Sequence, residues 1–154
     1  MKTKSLLFSL TVLALIVSAC ASATPVPPTP MSAPAMPSGP AAVNVAQNSS
    51  LGSFLVDSKG MTLYLFTKDS PKTSNCYSSC ASYWPPLLTS GAPVAGTGLS
   101  ASMLGTTKRT DGTTQVTYNG WPLYYYVSDK APGDTTGENV QGTWFVITPA
   151  GVQK

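Results

Sequence analysis

The side chains of this chain that could do chemistry are few. They are a Cys76-x-x-x-Cys80 pair, two aspartates 60 residues apart at Asp69 and Asp129, and an acidic stretch holding Asp129, Asp134 and Glu138. The sequence contains no histidine, which removes His-based catalytic triads, most zinc sites and the usual haem ligands. Outside the cytoplasm two cysteines in a small domain most often pair. The closed loop is short, and on the chain-entropy argument it stabilises by about 2 kcal/mol. The alternative keeps Cys76 and Cys80 as thiolates, for thiol–disulfide exchange or for copper(I) with Met61 or Met103 as a further soft ligand. Asp69 and Asp129 suggest the carboxylate pair of a glycoside hydrolase. An aspartate at a strand end, however, also accepts backbone N–H groups of the following turn, and that structural reading is the one adopted. Asp129, Asp134 and Glu138 miss the spacing of an EF-hand, so a solvated loop is set above a weak calcium site. No phosphate-binding glycine loop and no Gly-x-Ser-x-Gly elbow is present. No catalytic or metal-binding residue is therefore assigned, and the chain is read as a non-enzyme.

The elements that must hold these residues come in two copies. Gly60-Met61-Thr62-Leu63-Tyr64-Leu65-Phe66-Thr67-Lys68-Asp69 is echoed by Gly120-Trp121-Pro122-Leu123-Tyr124-Tyr125-Tyr126-Val127-Ser128-Asp129, at an offset of 60 with no gap. At the same offset Val56 matches Val116, Trp84 matches Trp144, Leu87 matches Ile147 and Gly91 matches Gly151. Each unit reads as a turn glycine, a leucine–tyrosine–x–aromatic strand, an aspartate, a long loop, a tryptophan and an apolar strand. Asn119-Gly120 is a strong hairpin signal because both positions tolerate positive φ. Lys59-Gly60 and Asp111-Gly112 mark further turns, the latter making a three-stranded meander of the second unit. Alternation puts Leu63 and Leu65 on one face and Tyr64 and Phe66 on the other, with Leu123 and Tyr125 opposed to Tyr124 and Tyr126 in the same way. Both faces carry large apolar groups, so these strands are expected to be central, and the tyrosines to pack before they bind anything. The fold expected is an all-β, small antiparallel domain of two tandem hairpin-plus-strand units, sandwich or barrel-like. Copies run over about 51–91 and 111–151 of a domain covering 51–152.

What precedes that domain is an address. Lys2 and Lys4 form a short basic start, an apolar run covers Leu6 to Val17, and Ser18-Ala19 leads to a lone Cys20. This is the pattern of an export signal over residues 1–19, too short to span a bilayer. Val17-Ser18-Ala19-Cys20 resembles the bacterial lipobox, which makes Cys20 the site of diacylation, palmitate included, and takes it out of the disulfide count. Residues 20–50 hold seven prolines between Pro25 and Pro40 and are expected to be a disordered tether reaching on the order of 90 Å at full stretch. Without Lys2 and Lys4 the chain keeps 7 basic against 6 acidic residues. That near-neutral balance lacks the basic footprint of nucleic-acid binding. Lys108-Arg109, the one adjacent basic pair, is expected to decorate a strand edge.

Tyr64-x-Phe66-x-x-Asp69 and Tyr124-x-Tyr126-x-x-Asp129 fit a Tyr-x-(Phe/Trp/Tyr)-x-x-Asp motif. With Cys76-Tyr77-Ser78-Ser79-Cys80-Ala81-Ser82-Tyr83-Trp84-Pro85-Pro86-Leu87 and Ala131-Pro132-Gly133-Asp134-Thr135, they make the chain resemble the bacterial predicted-lipoprotein family built on a secreted repeat of unknown function. The resemblance spans about residues 51–151. It implies an exported, duplicated repeat domain and no particular activity. The functional expectation is a lipoprotein anchored in the cell membrane, facing out of the cytoplasm, with no cofactor beyond the lipid at Cys20. It would act as a non-catalytic binding or accessory subunit of an envelope or electron-transport assembly, or bind wall glycan. The alternatives are thiol-redox or copper handling through Cys76 and Cys80, and a carbohydrate-binding or carbohydrate-active domain. Trp84, Trp121, Trp144, Asp134 and Glu138 are the candidate binding residues, and any site is expected between the cysteine-bearing and the acidic loops.

Overall fold

The computed structural model describes residues 37–154. The expected signal over 1–19, the lipid-bearing Cys20 and most of the Pro-rich tether lie outside the described residues. The domain is all-β with one five-residue helix, in eight short strands: β1 (Ala42–Asn48), β2 (Gly52–Asp57), β3 (Tyr64–Phe66), β4 (Val94–Ala95), β5 (Leu104–Lys108), β6 (Thr114–Tyr118), β7 (Trp121–Pro122) and β8 (Trp144–Val146). They form three small sheets, ordered β2-β1-β4, β3-β8 and β5-β6-β7.

The folded region begins earlier than residue 51. Ala42–Asn48 was expected within the tether and is instead a strand paired antiparallel with β2, from Val43 opposite Asp57 to Asn48 opposite Gly52. Valines at alternate positions, 43 and 45, give it an apolar face, and both join the core. The Asn48 carboxamide then accepts from the N–H groups of Ser50 and Leu51, which closes the turn into β2. With β1 in place each copy is a three-stranded meander. β1, β2 and the segment at Thr62-Leu63 in the first copy correspond to β5, β6 and β7 in the second.

The register shows one gap. Leu63 N–H donates to the Leu55 carbonyl, whereas Leu123 N–H donates to the Val116 carbonyl. Before the turn the copies are therefore offset by 61 residues, and after it by 60. The matching of Val56 with Val116 is corrected: Leu55 is the partner of Val116. The cause is loop length. Asn119-Gly120 is a two-residue turn with φ of 48° and 83°, closed by the Tyr118–Trp121 pair, as a type I′ hairpin requires. The first copy spans the same gap with Ser58-Lys59-Gly60. The extra residue leaves backbone donors that the Asp57 carboxylate accepts from Lys59 and Met61 at 2.8 and 2.9 Å.

The two copies are interlocked. Tyr64 and Tyr124 exchange both backbone hydrogen bonds at 2.9 Å, which places a pseudo-twofold axis between them. β3 of the first copy pairs with β8 of the second, and Tyr124 of the second bridges to Pro86 of the first. Leu55 N–H reaches the Ile147 carbonyl, and Val116 N–H reaches that of Leu87. The strand that follows each loop thus completes the other copy's sheet. The alternation read from sequence separates two cores. Leu63, Leu65 and Leu123 join Val43, Leu55, Val116 and Ile147 on one side, while Tyr64 and Tyr124 join Phe54, Trp84, Trp144 and Val146 on the other. Each core draws on both copies, so burying a leucine, worth roughly 1.5–3 kcal/mol, stabilises the pair rather than a single unit.

Candidate functional site

The aromatic core is built on the axis by the motif residues. Tyr64 Oη donates to Asp129 Oδ2 at 2.6 Å, and Tyr124 Oη donates to Asp69 Oδ2 at 2.7 Å. Each tyrosine therefore bonds the aspartate of the other copy. Each aspartate also holds its own following loop. Asp69 accepts from Asn75 N–H at 2.7 Å, and Asp129 accepts from Thr136 N–H at 3.0 Å and from its hydroxyl at 2.6 Å. The aromatic position of the motif serves the same cross-copy contact. Phe66 stacks on Trp144 with ring centroids 4.1 Å apart, and Tyr126 stacks on Trp84 at 4.2 Å. The two tryptophans stack on one another at 3.9 Å with planes 1° apart. The result is a run of four rings, Phe66–Trp144–Trp84–Tyr126. Tyr64 and Tyr124 close it edge-on, at 5.4 Å from Trp84 and 5.2 Å from Trp144.

Electrostatics follow from this burial. Desolvation, then the bond to Asp129, pushes the Tyr64 hydroxyl far above the ordinary phenol range, and desolvation with the Asp69 charge does the same to Tyr124. Both stay protonated and act as donors. Burial pushes Asp69 up to about 6, against the opposing influence of Tyr124, the Asn75 N–H and Arg109. Asp69 and Asp129 are buried in separate turns and occupied as acceptors. Each accepts from a tyrosine of the other copy and from its own loop.

The two long loops leave this frame differently. In the first, Cys76 and Cys80 are joined as a disulfide with Cα atoms 5.2 Å apart, and Cys80 lies in the first turn of the helix α1 (Ser79–Tyr83). Beneath the loop lies Arg109, 4% exposed. Its guanidinium donates to Ser74 Oγ at 2.8 Å, to Gln115 Oε1 at 2.7 Å and to the Cys76 carbonyl at 2.7 Å, and stacks on Tyr77 at 4.4 Å. The expectation that Lys108-Arg109 decorates an edge is corrected for Arg109. Lys108 is exposed on β5, but Arg109 is an interior anchor. Gln115, fully buried in β6 among β-branched neighbours, was the sequence signal for a buried polar partner. In the second loop Glu138 accepts from Val146 N–H at 2.7 Å, a donor that Pro86 lacks at the matching place. Gly137 lets this loop approach: a Cβ there would lie 2.8 Å from Tyr64 Cζ.

Between the loops lies a groove of about 410 Å³. The first loop supplies Ser79, Cys80 and Tyr83, and the second supplies Val140 and Gln141; the four stacked rings and Lys68 complete it. Tyr83 is 62% exposed. Of the candidate binding residues, Trp84 and Trp144 line the groove. Trp121 packs on the other core, Asp134 caps its own turn by accepting from Lys130 and Ala131 N–H at 2.8 Å each, and Glu138 is held as described. Met103 packs near Gly151 and Met61 follows the Asp57 turn; neither lines the groove with Cys80. The three tyrosines in a row are not a platform. Tyr124 is fully buried, Tyr125 is half-buried with its hydroxyl donating to Asp57 at 3.0 Å, and only Tyr126 reaches the groove. Tyr83, Lys68 and Gln141 were missed by sequence reasoning, since none belongs to a repeated pattern. Among the described residues no helix is long and apolar enough to cross a membrane.

A family model described as a secreted repeat of unknown function matches this chain twice, over residues 45–88 and 105–148. Its first match includes most of β1, in agreement with the earlier start of the fold. No curated protein and no solved structure matches the chain.

Proposed function

The chain belongs to the family of secreted repeats of unknown function, and from that premise we propose that it is an extracytoplasmic lipoprotein, anchored through Cys20, that works by binding. In this reading it is a non-catalytic accessory subunit of a cell-envelope or electron-transport assembly, and the groove between the two loops receives its partner. One observation carries the proposal. Five aromatic side chains, Phe66, Tyr83, Trp84, Tyr126 and Trp144, line one groove, and the Asp69 and Asp129 carboxylates at the heads of its two loops are already engaged in holding them. Purification of the full chain from its own membranes in detergent is expected to bring a stoichiometric partner or glycan, lost from Tyr83→Ala and Lys68→Glu variants that fold normally. Partner recovery unchanged in both variants, or turnover of a substrate by a chain that binds nothing, would overturn the reading.

Thiol-redox work is a second reading with one observation in its favour: Cys80 is half-buried and lines the groove, so an external thiolate has access to a disulfide sulfur. A pair that stays oxidised under mild reductant, in a protein that takes up no copper(I), ends that reading.

A further inference from the structure

We propose that the groove is a binding site for an acidic sugar unit, a ring carrying a carboxylate as in a uronic acid. The inference rests on the groove being the binding site and adds the chemistry of what enters it. Trp84 and Trp144 are 5% and 2% exposed, and neither indole N–H has an acceptor among the described residues. Yet no side-chain nitrogen or oxygen there is both sealed from solvent and unpartnered. Neither indole nitrogen is thus both sealed and unpartnered, and both rings line the groove. An indole N–H only donates. Ring edges carry the positive end of the aromatic quadrupole, so four stacked rings seen edge-on attract oxygen acceptors and repel cations.

Charge agrees with this. Lys68 is the one ionic side chain lining the groove, which has no acidic residue, and the only ion pair among the described residues is Arg109 with Asp111. In the proposed site a carboxylate turned toward Trp84 and Trp144 takes the indole N–H groups as donors and the Lys68 ammonium as counter-charge, Lys68 having no ion-pair partner among the described residues. Tyr83, exposed on α1 at the rim, offers the negative face of its ring to the slightly positive C–H groups of a sugar, and Ser79 and Gln141 supply hydroxyl partners. The volume of about 410 Å³ falls within the roughly 300–1,000 Å³ usual for small-ligand sites.

The test follows the three indole N–H resonances of the ¹⁵N-labelled full chain in detergent micelles during titration with trigalacturonate, a neutral galactose trisaccharide or inorganic phosphate. Trp121→Phe identifies the control signal. Trigalacturonate is expected to move the Trp84 and Trp144 signals and leave Trp121 in place. Lys68→Gln is expected to weaken binding at least tenfold, with a similar loss for Tyr83→Ala. Equal binding of the neutral trisaccharide overturns the acidic part of the proposal, and saturation by phosphate alone overturns the sugar part. No movement of either groove signal overturns it whole. If that happens while a membrane partner still depends on Tyr83, this inference fails and the binding role stands.

Discussion

The loops from Asp69 to Trp84 and from Asp129 to Trp144 hang from the same frame, and the side chains that hold them have little in common. Both begin at a buried aspartate that bonds the tyrosine of the other copy and end at a tryptophan of the central stack. Between those points the first is fixed by a disulfide and by a guanidinium that donates to Ser74 and the Cys76 carbonyl in the loop and to Gln115 and Asp111 beneath it. The second is fixed by the Glu138 carboxylate on a strand N–H, by the Asp134 cap and the Thr62 hydroxyl at its near end, and by an apolar underside. In register, Phe54 occupies in β2 the place that Gln115 takes in β6, and Phe54 packs in the aromatic core. A duplicated unit must keep whatever joins it to its twin, because each half supplies the other's missing strand. Under the loops that constraint is absent, and a polar and an apolar solution coexist. The groove opens between these two unlike walls.

The comparison predicts damage confined to one loop. Arg109→Ala should have the largest effect, because it leaves Gln115 Oε1 and the Cys76 carbonyl without their donor in a buried site and takes one of the partners of Ser74. The expected loss is about 3 kcal/mol or more. In urea unfolding followed by hydrogen exchange, amides of residues 69–84 should lose protection while those of 129–144 keep it. The reciprocal change, Glu138→Ala, should expose the second loop instead and cost about 1–2 kcal/mol, as one buried N–H goes unpaired. Equal loss of protection in both loops from either variant would mean that they unfold as one and that the contrast has no energetic content.

Removing the disulfide by the Cys76→Ser, Cys80→Ser double variant comes next, at about 2 kcal/mol for so short a closed loop. Arg109 still binds the backbone carbonyl of residue 76 in that variant. The loop should therefore loosen near α1 and stay closed at Ser74. A collapse in protection from 69 to 84 as large as that of Arg109→Ala would make the covalent link, and not the guanidinium, the principal anchor.

Much of this frame was legible before any coordinates, for local reasons. Asn119-Gly120 specifies its turn by φ alone, and the alternation of Leu63, Tyr64, Leu65 and Phe66 specifies two buried faces. The Cys76–Cys80 disulfide was the adopted reading of that pair, and a groove does lie between the two loops where any site was sought. The start of the domain was hidden because Ala42–Asn48 adjoins a Pro-rich segment and is stabilised by pairing rather than by its own composition. The crossing of the motif was hidden for another reason: spacing along a chain does not say which copy's aspartate meets which tyrosine. Arg109 looked like half of a solvated pair because its partners Ser74 and Cys76 lie 35 and 33 residues away. One residue of turn length sufficed to misalign Val56 with Val116.

A last expected effect is one of pH, and it bears on the polar wall. Asp69 faces Tyr124, the Asn75 N–H and Arg109, and burial raises it to about 6 in the folded protein, against roughly 3.9 in an unfolded chain. Between those values the folded state holds a proton that the unfolded state has released. Stability from this group is therefore lowest above about pH 6 and rises as the pH falls toward 4. Glu138, also raised by burial, acts in the same direction from the second loop. Urea midpoints of the wild type, Asp69→Asn and Glu138→Gln measured between pH 7.5 and 4.5 separate the two. The wild type should gain relative to Asp69→Asn as the pH drops through 6, and the protection gained should fall within residues 69–84. If the two midpoints run parallel across that range, the Asp69 carboxylate is stabilised by Tyr124 and Arg109 as fully as by water, and the polar wall carries no charge penalty.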